Sequence, residues 1–355
     1  MSPSEFVAVY SLNYRKHIAL FTEPGGTSRG ILYQKPSWII QLSHTDYSEP
    51  GYGEISIIPK LSIETEEFIE EFLYKHPTLS ENQLSEIIQS ATPAVRFGFE
   101  MAVKSLESQA LEMFGEEKNL NLKTNGLVWM GSIDDMWKRA QEKYAEGFRC
   151  LKFKIGALNF EDELALLKKV RSTWGDEITL RLDANGAFTP KEAPEKLEKL
   201  SKLGIHSIEQ PIKAGQWDEM AKLCQVSPID IALDEELIGI KSKQEKQDIL
   251  DAIQPQYIIL KNSLIGGWKE AAEWINLSEN KGIGWWATSA LELNIGLNAI
   301  AYQLADYTNQ LPQGLGTGKV FSNNIKSNLK LDGEHLKLKS NKSDLLLDNT
   351  KKMWL

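Results

Sequence analysis

"CLKFKIG", residues 150–156, alternates three large apolar side chains, Leu151, Phe153 and Ile155, with two lysines, Lys152 and Lys154. The run follows Gly147 and closes on Gly156, and its length and alternation predict a strand. Side chains on a strand alternate between faces, so the apolar trio shares one face and the lysines share the other. One face can pack on helices. The other aims two cations side by side into an interior, and the fold that tolerates this decides how the rest of the chain is read.

Outward from this stretch, from about residue 122 onward, the pattern repeats. Short apolar runs (NGLVWMG, ITLRLDAN, HSIEQPI, DIALDEE, YIILKNS, GWWATSA and, less clearly, QGLGTG) alternate with amphipathic stretches such as FEDELALLKKVRSTW, TPKEAPEKLEKLSKLG and WKEAAEWINLSENKG. Strand–helix alternation implies parallel βαβ units with right-handed crossovers, and eight units would close a barrel. Lys154, Asp183, Glu209, Asp234, Lys261 and Thr288 follow one another at intervals of 25 to 29 residues, each near the end of its run. In a (β/α) barrel those strand ends converge on one mouth, where active sites are built. The lysines of the opening stretch then point into the barrel, toward that mouth.

The flanks differ. Residues 1–60 read as a strand meander, FVAVYSLNY, RGILYQKPSWIIQLS and GYGEISIIP, broken by Gly/Pro/Ser turns. Residues 62–115 read as helical, with a capping box at Ser80-x-x-Gln83. Near the end, LKLDGEHLKLK carries an Asp332-Gly333 turn between alternating segments, which predicts a hairpin. The expected α/β organisation is an N-terminal α+β capping domain over 1–118, a TIM-like, modified (β/α) barrel over 119–320, and a tail over 321–355 that returns to the capping domain.

Bulk properties narrow the chemistry. The chain has 355 residues, 42% hydrophobic and 25% charged, with a formal net charge of −9 and no Lys/Arg block, so nucleic acid is not expected as a partner. The start, MSPSEFVAVYSLNYRK, lacks a basic-then-apolar signal and no run of 18 apolar residues occurs, so a cytoplasmic protein with no membrane span is expected. Cys150 and Cys224 are two well-separated cysteines and suggest free buried thiols. Five scattered histidines give no His-x-x-x-His pair, so any metal would be held by oxygen. GLGTGK (314–319) fits neither a P-loop nor a dinucleotide fingerprint.

Asp183, Glu209 and Asp234 would meet from consecutive strands, where three carboxylates repel unless a cation joins them. Oxygen-only ligands favour Mg²⁺ or Mn²⁺ over zinc. Lys152 and Lys154 flank the set on one side and Lys261 on the other. A buried lysine beside another cation is expected to have a depressed pKa and to serve as a general base. A metal facing such a base suits removal of a proton α to a carboxylate.

In this order the motifs LKFKIG, RLDANGAF, IEQPI, ALDEE and ILKNSLIGG, with GYGEISIIPKLS before them and TSALELNIGLNAIA after, resemble the enolase superfamily in its muconate-lactonizing subgroup. The likeness runs along nearly the whole chain. It implies Asp183, Glu209 and Asp234 as Mg²⁺ ligands with Asn185 and Glu235 in support; strand parity puts Glu235 on the face opposite Asp234. It implies Lys154 as the base that takes the α-proton and returns it to a leaving hydroxyl, Lys261 on the other face of the ring, and Lys152 orienting Lys154 or the carboxylate. Arg181, Thr288, Ser289 and Gly314 would hold the succinyl end of the substrate. Thr288 stands where family members often carry serine. EPGGTSRG (23–30) has the glycines of a mobile lid.

The activity implied is a lyase step of menaquinone biosynthesis, dehydration of 2-succinyl-6-hydroxy-2,4-cyclohexadiene-1-carboxylate to 2-succinylbenzoate. The rival is a racemase or epimerase of N-acylated amino acids or dipeptides in the same superfamily. Dipeptide epimerases place an Asp-x-Asp pair where this chain reads GLGTG. A third reading, from another class, is a non-catalytic, metal-stabilised binding barrel.

Overall fold

The computed structural model describes residues 9–27, 30–116, 118–338 and 343–354. The chain opens with long β1 (Val9–Thr27) and β2 (Gly30–Ser43) and short β3 (Gly51–Ser56). Then come α1 (Glu66–Lys75), β4 (Thr78–Ser80), α2 (Glu81–Ser90) and α3 (Pro93–Ser108). The strands form one antiparallel sheet in the order β3-β2-β1-β4. β4 interrupts the stretch expected to be helical, because three residues are too few to show a period. The expected cap at Ser80 is present: its hydroxyl accepts from Gln83 N, and Gln83 Oε1 accepts from Ser80 N at 2.9 Å. α3 lies directly on β3. A Cβ at Gly51 would meet Ala102 O at 2.1 Å and one at Gly53 would meet Gly98 O at 2.0 Å, so glycine alone permits that approach.

The second half alternates strand and helix as the sequence suggests. β5 (Asn121–Lys123) precedes β6 (Gly126–Val128), α4 (Ile133–Ala145), β7 (Cys150–Lys154), α5 (Phe160–Trp174) and β8 (Thr179–Asp183). There follow α6 (Ala193–Ser201), β9 (Ile205–Glu209), α7 (Trp217–Val226), β10 (Asp230–Leu233) and α8 (Lys243–Ile253). The series ends with β11 (Tyr257–Leu260), α9 (Asn262–Ile265), α10 (Gly267–Glu279), β12 (Gly284–Ala287) and α11 (Asn294–Leu304). β6 to β12 pair in parallel in sequential order. Leu151, Phe153 and Ile155 are buried in the main core cluster, each contributing about 1.5–3 kcal/mol of transfer free energy.

The eighth run does not form a strand. Closure rests on two bridges, Thr288 with Gly314 and Thr124 with Gln313. Gly314 N donates to Ala287 O at 2.7 Å, and Asn125 N donates to Gln313 O at 2.8 Å. Pro312 and the glycines at 314, 316 and 318 leave little β-propensity there, so the barrel closes through a two-residue stave.

The tail forms the expected hairpin, β13 (Leu329–Asp332) with β14 (His335–Leu338), and β14 adds to β5. The last helix, α12 (Leu345–Lys352), is anchored by Asp344, whose Oδ2 accepts from Leu111 N at 2.6 Å and Glu112 N at 2.9 Å. Lys351 pairs with Glu49 at 2.9 Å, and Trp354 lies beneath the Arg15 guanidinium. Among the described residues no helix is long and apolar enough to cross a membrane.

Candidate active site

Asp183 and Glu209 end β8 and β9, and Lys154 ends β7, in one register row across the sheet. Asp234, Lys261 and Thr288 each stand one residue past the ends of β10, β11 and β12. The evenly spaced polar residues therefore reach one rim. Asp183, Glu209 and Asp234 are buried, and their ligand oxygens lie within 4.8 Å of one another.

The amines enter this cluster from both sides. Lys152 Nζ donates to Glu209 Oε2 at 3.0 Å and Asp183 Oδ2 at 3.3 Å. Lys154 Nζ donates to Asp183 Oδ2 and to Asn185 Oδ1, both at 2.7 Å. Lys261 pairs with Asp234. These pairs overturn the expectation of depressed lysine pKa values for two of the three. Burial pulls Lys152 and Lys261 down, but the carboxylates of Glu209 and Asp183, and of Asp234, outweigh it and hold both above their ordinary value. Burial drives Glu209 up to about 7 against the pull of Lys152, whereas Lys154 and Lys152 overcome burial at Asp183 and keep it well below the usual range.

The donor set fits a hard divalent cation. It consists of oxygens alone, they are clustered and buried, and Glu209 Oε1 has no hydrogen-bond partner among the described residues. Around it, Asn185 Nδ2 donates to Glu235 Oε1 at 3.0 Å, linking Glu235 to Lys154 through one amide. The parity expectation for Glu235 fails. β10 stops at Leu233 and Asp234 has φ −125°, ψ −79°, so alternation ends before Glu235 and its carboxylate turns toward the site.

Gln210 was missed. Fully buried, it receives Asp234 N at 3.1 Å on Oε1 and gives Nε2 to Ile212 O at 3.0 Å, tying the end of β9 to that of β10. The polar residue directly after Glu209 in IEQPI was the available signal. Backbone strain marks the same region: Lys60, Asn185, Gln210 and Leu291 all have φ between 39° and 67°. Non-glycine residues in this conformation concentrate at functional sites, where surrounding structure holds them.

A cavity of about 330 Å³ opens above the charged cluster. Lys152, Lys154, Asn185 and Lys261 lie along it, and the segment Ile58–Leu61 with Gly30, Ile31 and Leu32 covers it from the N-terminal sheet. Thr288, Ser289 and Gly314 line the cavity. Ser289 Oγ is already committed to Glu292 Oε2 at 2.6 Å. Arg181 is absent from the lining. It sits two residues below Asp183 in the barrel interior, with no exposure; its guanidinium lies 3.8 Å from the Trp286 ring centre and donates to Pro312 O at 2.7 Å. Two residues along a strand is about 6.6 Å, a full interior layer. Asn125, Leu127 and Trp129 also line the cavity and were not anticipated. Of the expected lid, residues 28–29 lie outside the described residues.

Residues 135–337 match the family described as enolase C-terminal domain-like. The o-succinylbenzoate synthase of Desulfotalea psychrophila is 43% identical over an alignment covering 91% of this chain and 97% of that protein. The L-Ala-D/L-Glu epimerase of Bacillus subtilis is 24% identical, covering 81% and 82%. The crystal structure of MenC from Desulfotalea psychrophila aligns with a TM-score of 0.78 at 38% identity, covering 92% of this chain and 99% of that one.

Proposed function

This chain belongs to the enolase superfamily, and from that premise we propose that it dehydrates 2-succinyl-6-hydroxy-2,4-cyclohexadiene-1-carboxylate to 2-succinylbenzoate as a carbon–oxygen lyase. One observation carries the reading. In a chain 43% identical to an o-succinylbenzoate synthase, three lysine amines flank a buried carboxylate trio at the floor of a cavity covered by the N-terminal sheet. With this activity goes a step in menaquinone biosynthesis, and a cytoplasmic location is part of the proposal.

Asp183, Glu209 and Asp234 would hold Mg²⁺ or Mn²⁺, whose charge when bound offsets that gathering on the substrate carboxyl group. Lys154 takes the proton from the carbon bearing the carboxylate, and the C–H electron pair moves into the carboxyl group. The same amine then gives that proton to the hydroxyl on the neighbouring carbon as the C–O bond breaks. Water leaves, and the ring becomes aromatic. Proton and leaving group depart from one face because one amine serves both. Asn185 Oδ1 fixes Lys154 Nζ in place, and Glu235 fixes Asn185. Lys261 stands across the cluster as an ammonium facing the ring. Lys152, bonded to two of the acids, keeps their oxygens together.

An amine on each side is also what two-base racemization needs, which keeps the epimerase reading in view. The eighth stave, Gln313 and Gly314, and the Leu315–Gly316 pair after it supply no carboxylate for a free ammonium, so that chemistry would be restricted to N-acylated amino acids. An absorbance assay of ring aromatization, with and without chelator, tests the proposal. Turnover that survives complete chelation removes the metal from it. Absence of turnover alongside racemization of N-succinyl amino acids replaces it with the rival, and inertness toward both favours a binding barrel.

A further inference from the structure

Charge is unevenly distributed around the barrel mouth. Amines and carboxylates occupy the ends of five consecutive strands, β7 to β11, while β12, the Gln313–Gly314 stave and β6 bring up a wall that is polar but neutral. That wall holds Asn125, Thr288 and Thr317, which are 2%, 8% and 6% exposed and all line the cavity. The carboxamide oxygen of Asn125 and the hydroxyls of both threonines have no hydrogen-bond partner among the described residues. Leaving one such group buried and unmade costs about 1–3 kcal/mol, so three on one cavity wall point to a ligand that satisfies them.

Their position says which part of the ligand. A second cavity of about 220 Å³ adjoins the first, and Asn125 and Thr317 line both, together with Leu127, Trp129 and Gly316. Asn125 and Thr317 thus stand on the partition, on the side of the mouth away from the charged cluster. A substrate whose ring carboxylate lies at the charged side must direct its side arm toward this partition. The arm offers acceptors, a ketone and a terminal carboxylate. A threonine hydroxyl donates to either, and an asparagine presents its NH₂ by a half-turn of the amide.

Resting on the dehydratase reading, we propose that Asn125 and Thr317 are specificity-determining residues that hydrogen-bond the oxygen atoms of the substrate's acyl arm, a task the resemblance assigns to Arg181, Thr288, Ser289 and Gly314. The test uses the full chain with Asn125→Leu, Asn125→Asp and Thr317→Val. KM for the cyclohexadiene substrate should rise about 10- to 100-fold, most in Asn125→Asp, which sets a charge against the arm's carboxylate; kcat should stay within about threefold. Calorimetric Kd values for 2-succinylbenzoate should rise in parallel, while those for benzoate, which has the ring carboxylate and no arm, stay at the wild-type value. Thr317→Val and Asn125→Ser carry the test should Asn125→Leu fail to fold.

Variants that bind 2-succinylbenzoate as the wild type does, or that lose it and benzoate equally, overturn the inference while wild-type turnover upholds the dehydratase. A wild type without turnover whose preference for 2-succinylbenzoate over benzoate vanishes in the variants sustains the inference and overturns the dehydratase. A wild type with no such preference overturns the inference on its own.

Discussion

Lys152 and Lys154 are two residues apart on one strand face and make different contacts. Both line the cavity, but Lys152 is bonded to two of the three acids, whereas Lys154 is bonded to one acid and one amide. Replacing Lys154 by alanine should lower kcat by about 10²–10⁴ or more, with little change in Tm, read from the aromatization assay and thermal unfolding. Equal losses of activity and stability would make Lys154 a structural residue. Arg181 provides the contrast. Its burial beneath Asp183 means that Arg181→Met should leave KM for substrate within about twofold; a tenfold rise would return the guanidinium to the binding site. Residue types and spacing picked out the lysines and the acids. They could not tell an arginine in the lining layer from one a layer lower, because both lie on the inward face of β8.

At the scale of an element, the eighth stave leaves no room for a side chain at its glycine. A Cβ on Gly314 would lie 2.5 Å from Thr288 Oγ1 and 2.8 Å from its Cγ2, so the stave and the end of β12 fit only with glycine there. Gly314→Ala should cost about 1–3 kcal/mol and reduce activity, and Thr288→Ala in the same chain should recover part of the stability, measured by denaturant titration. No recovery would place the strain elsewhere. The GYGE segment on β3 shows the same economy of space. Beyond its two glycines, Glu54 is fully buried and receives Leu293 N at 2.8 Å and Gly296 N at 3.0 Å, capping the start of α11 from the neighbouring sheet.

For the molecule as a whole, α3 joins the N-terminal sheet to the barrel. Arg96 on α3 pairs with Glu270 on α10 at 2.6 Å, Glu270 also pairs with Lys246, and Glu100 accepts from Trp268 N at 2.5 Å. Burial raises Glu100 to about 7, against backbone donors that pull it down. A carboxyl raised above its ordinary value favours the folded state most at low pH, and this contribution is lost as pH rises from about 4.5 to about 7. Glu100→Gln should therefore raise Tm at pH 8 by a few degrees and flatten its pH dependence in that window; an unchanged slope would assign the titration to another group. The carboxylate trio couples to stability too. A cation bound by the native fold stabilises it by RT ln(1 + [L]/Kd), so Mg²⁺ or Mn²⁺ should raise Tm in the wild type and have much less effect in Asp183→Asn. Equal shifts in both would put the ion elsewhere.

The period of apolar runs, the polar residue near each strand end, the capping box at Ser80 and the Asp332-Gly333 hairpin were legible in the chain, because each is a local or strictly periodic consequence of backbone geometry. The barrel and the meeting of Asp183, Glu209 and Asp234 follow from that period alone. Whether the last stave would be a strand, which way Glu235 would turn after β10, that Arg181 would lie below the cavity, and that Asn125 and Thr317 would share a wall were decided by the three-dimensional arrangement. Each depends on atoms far apart in the chain: Gly314 fitting against Thr288, Asn185 meeting Glu235, Trp286 stacking on Arg181. Alternation states which face a side chain takes. Barrel closure sets its height on that face and the groups it meets there.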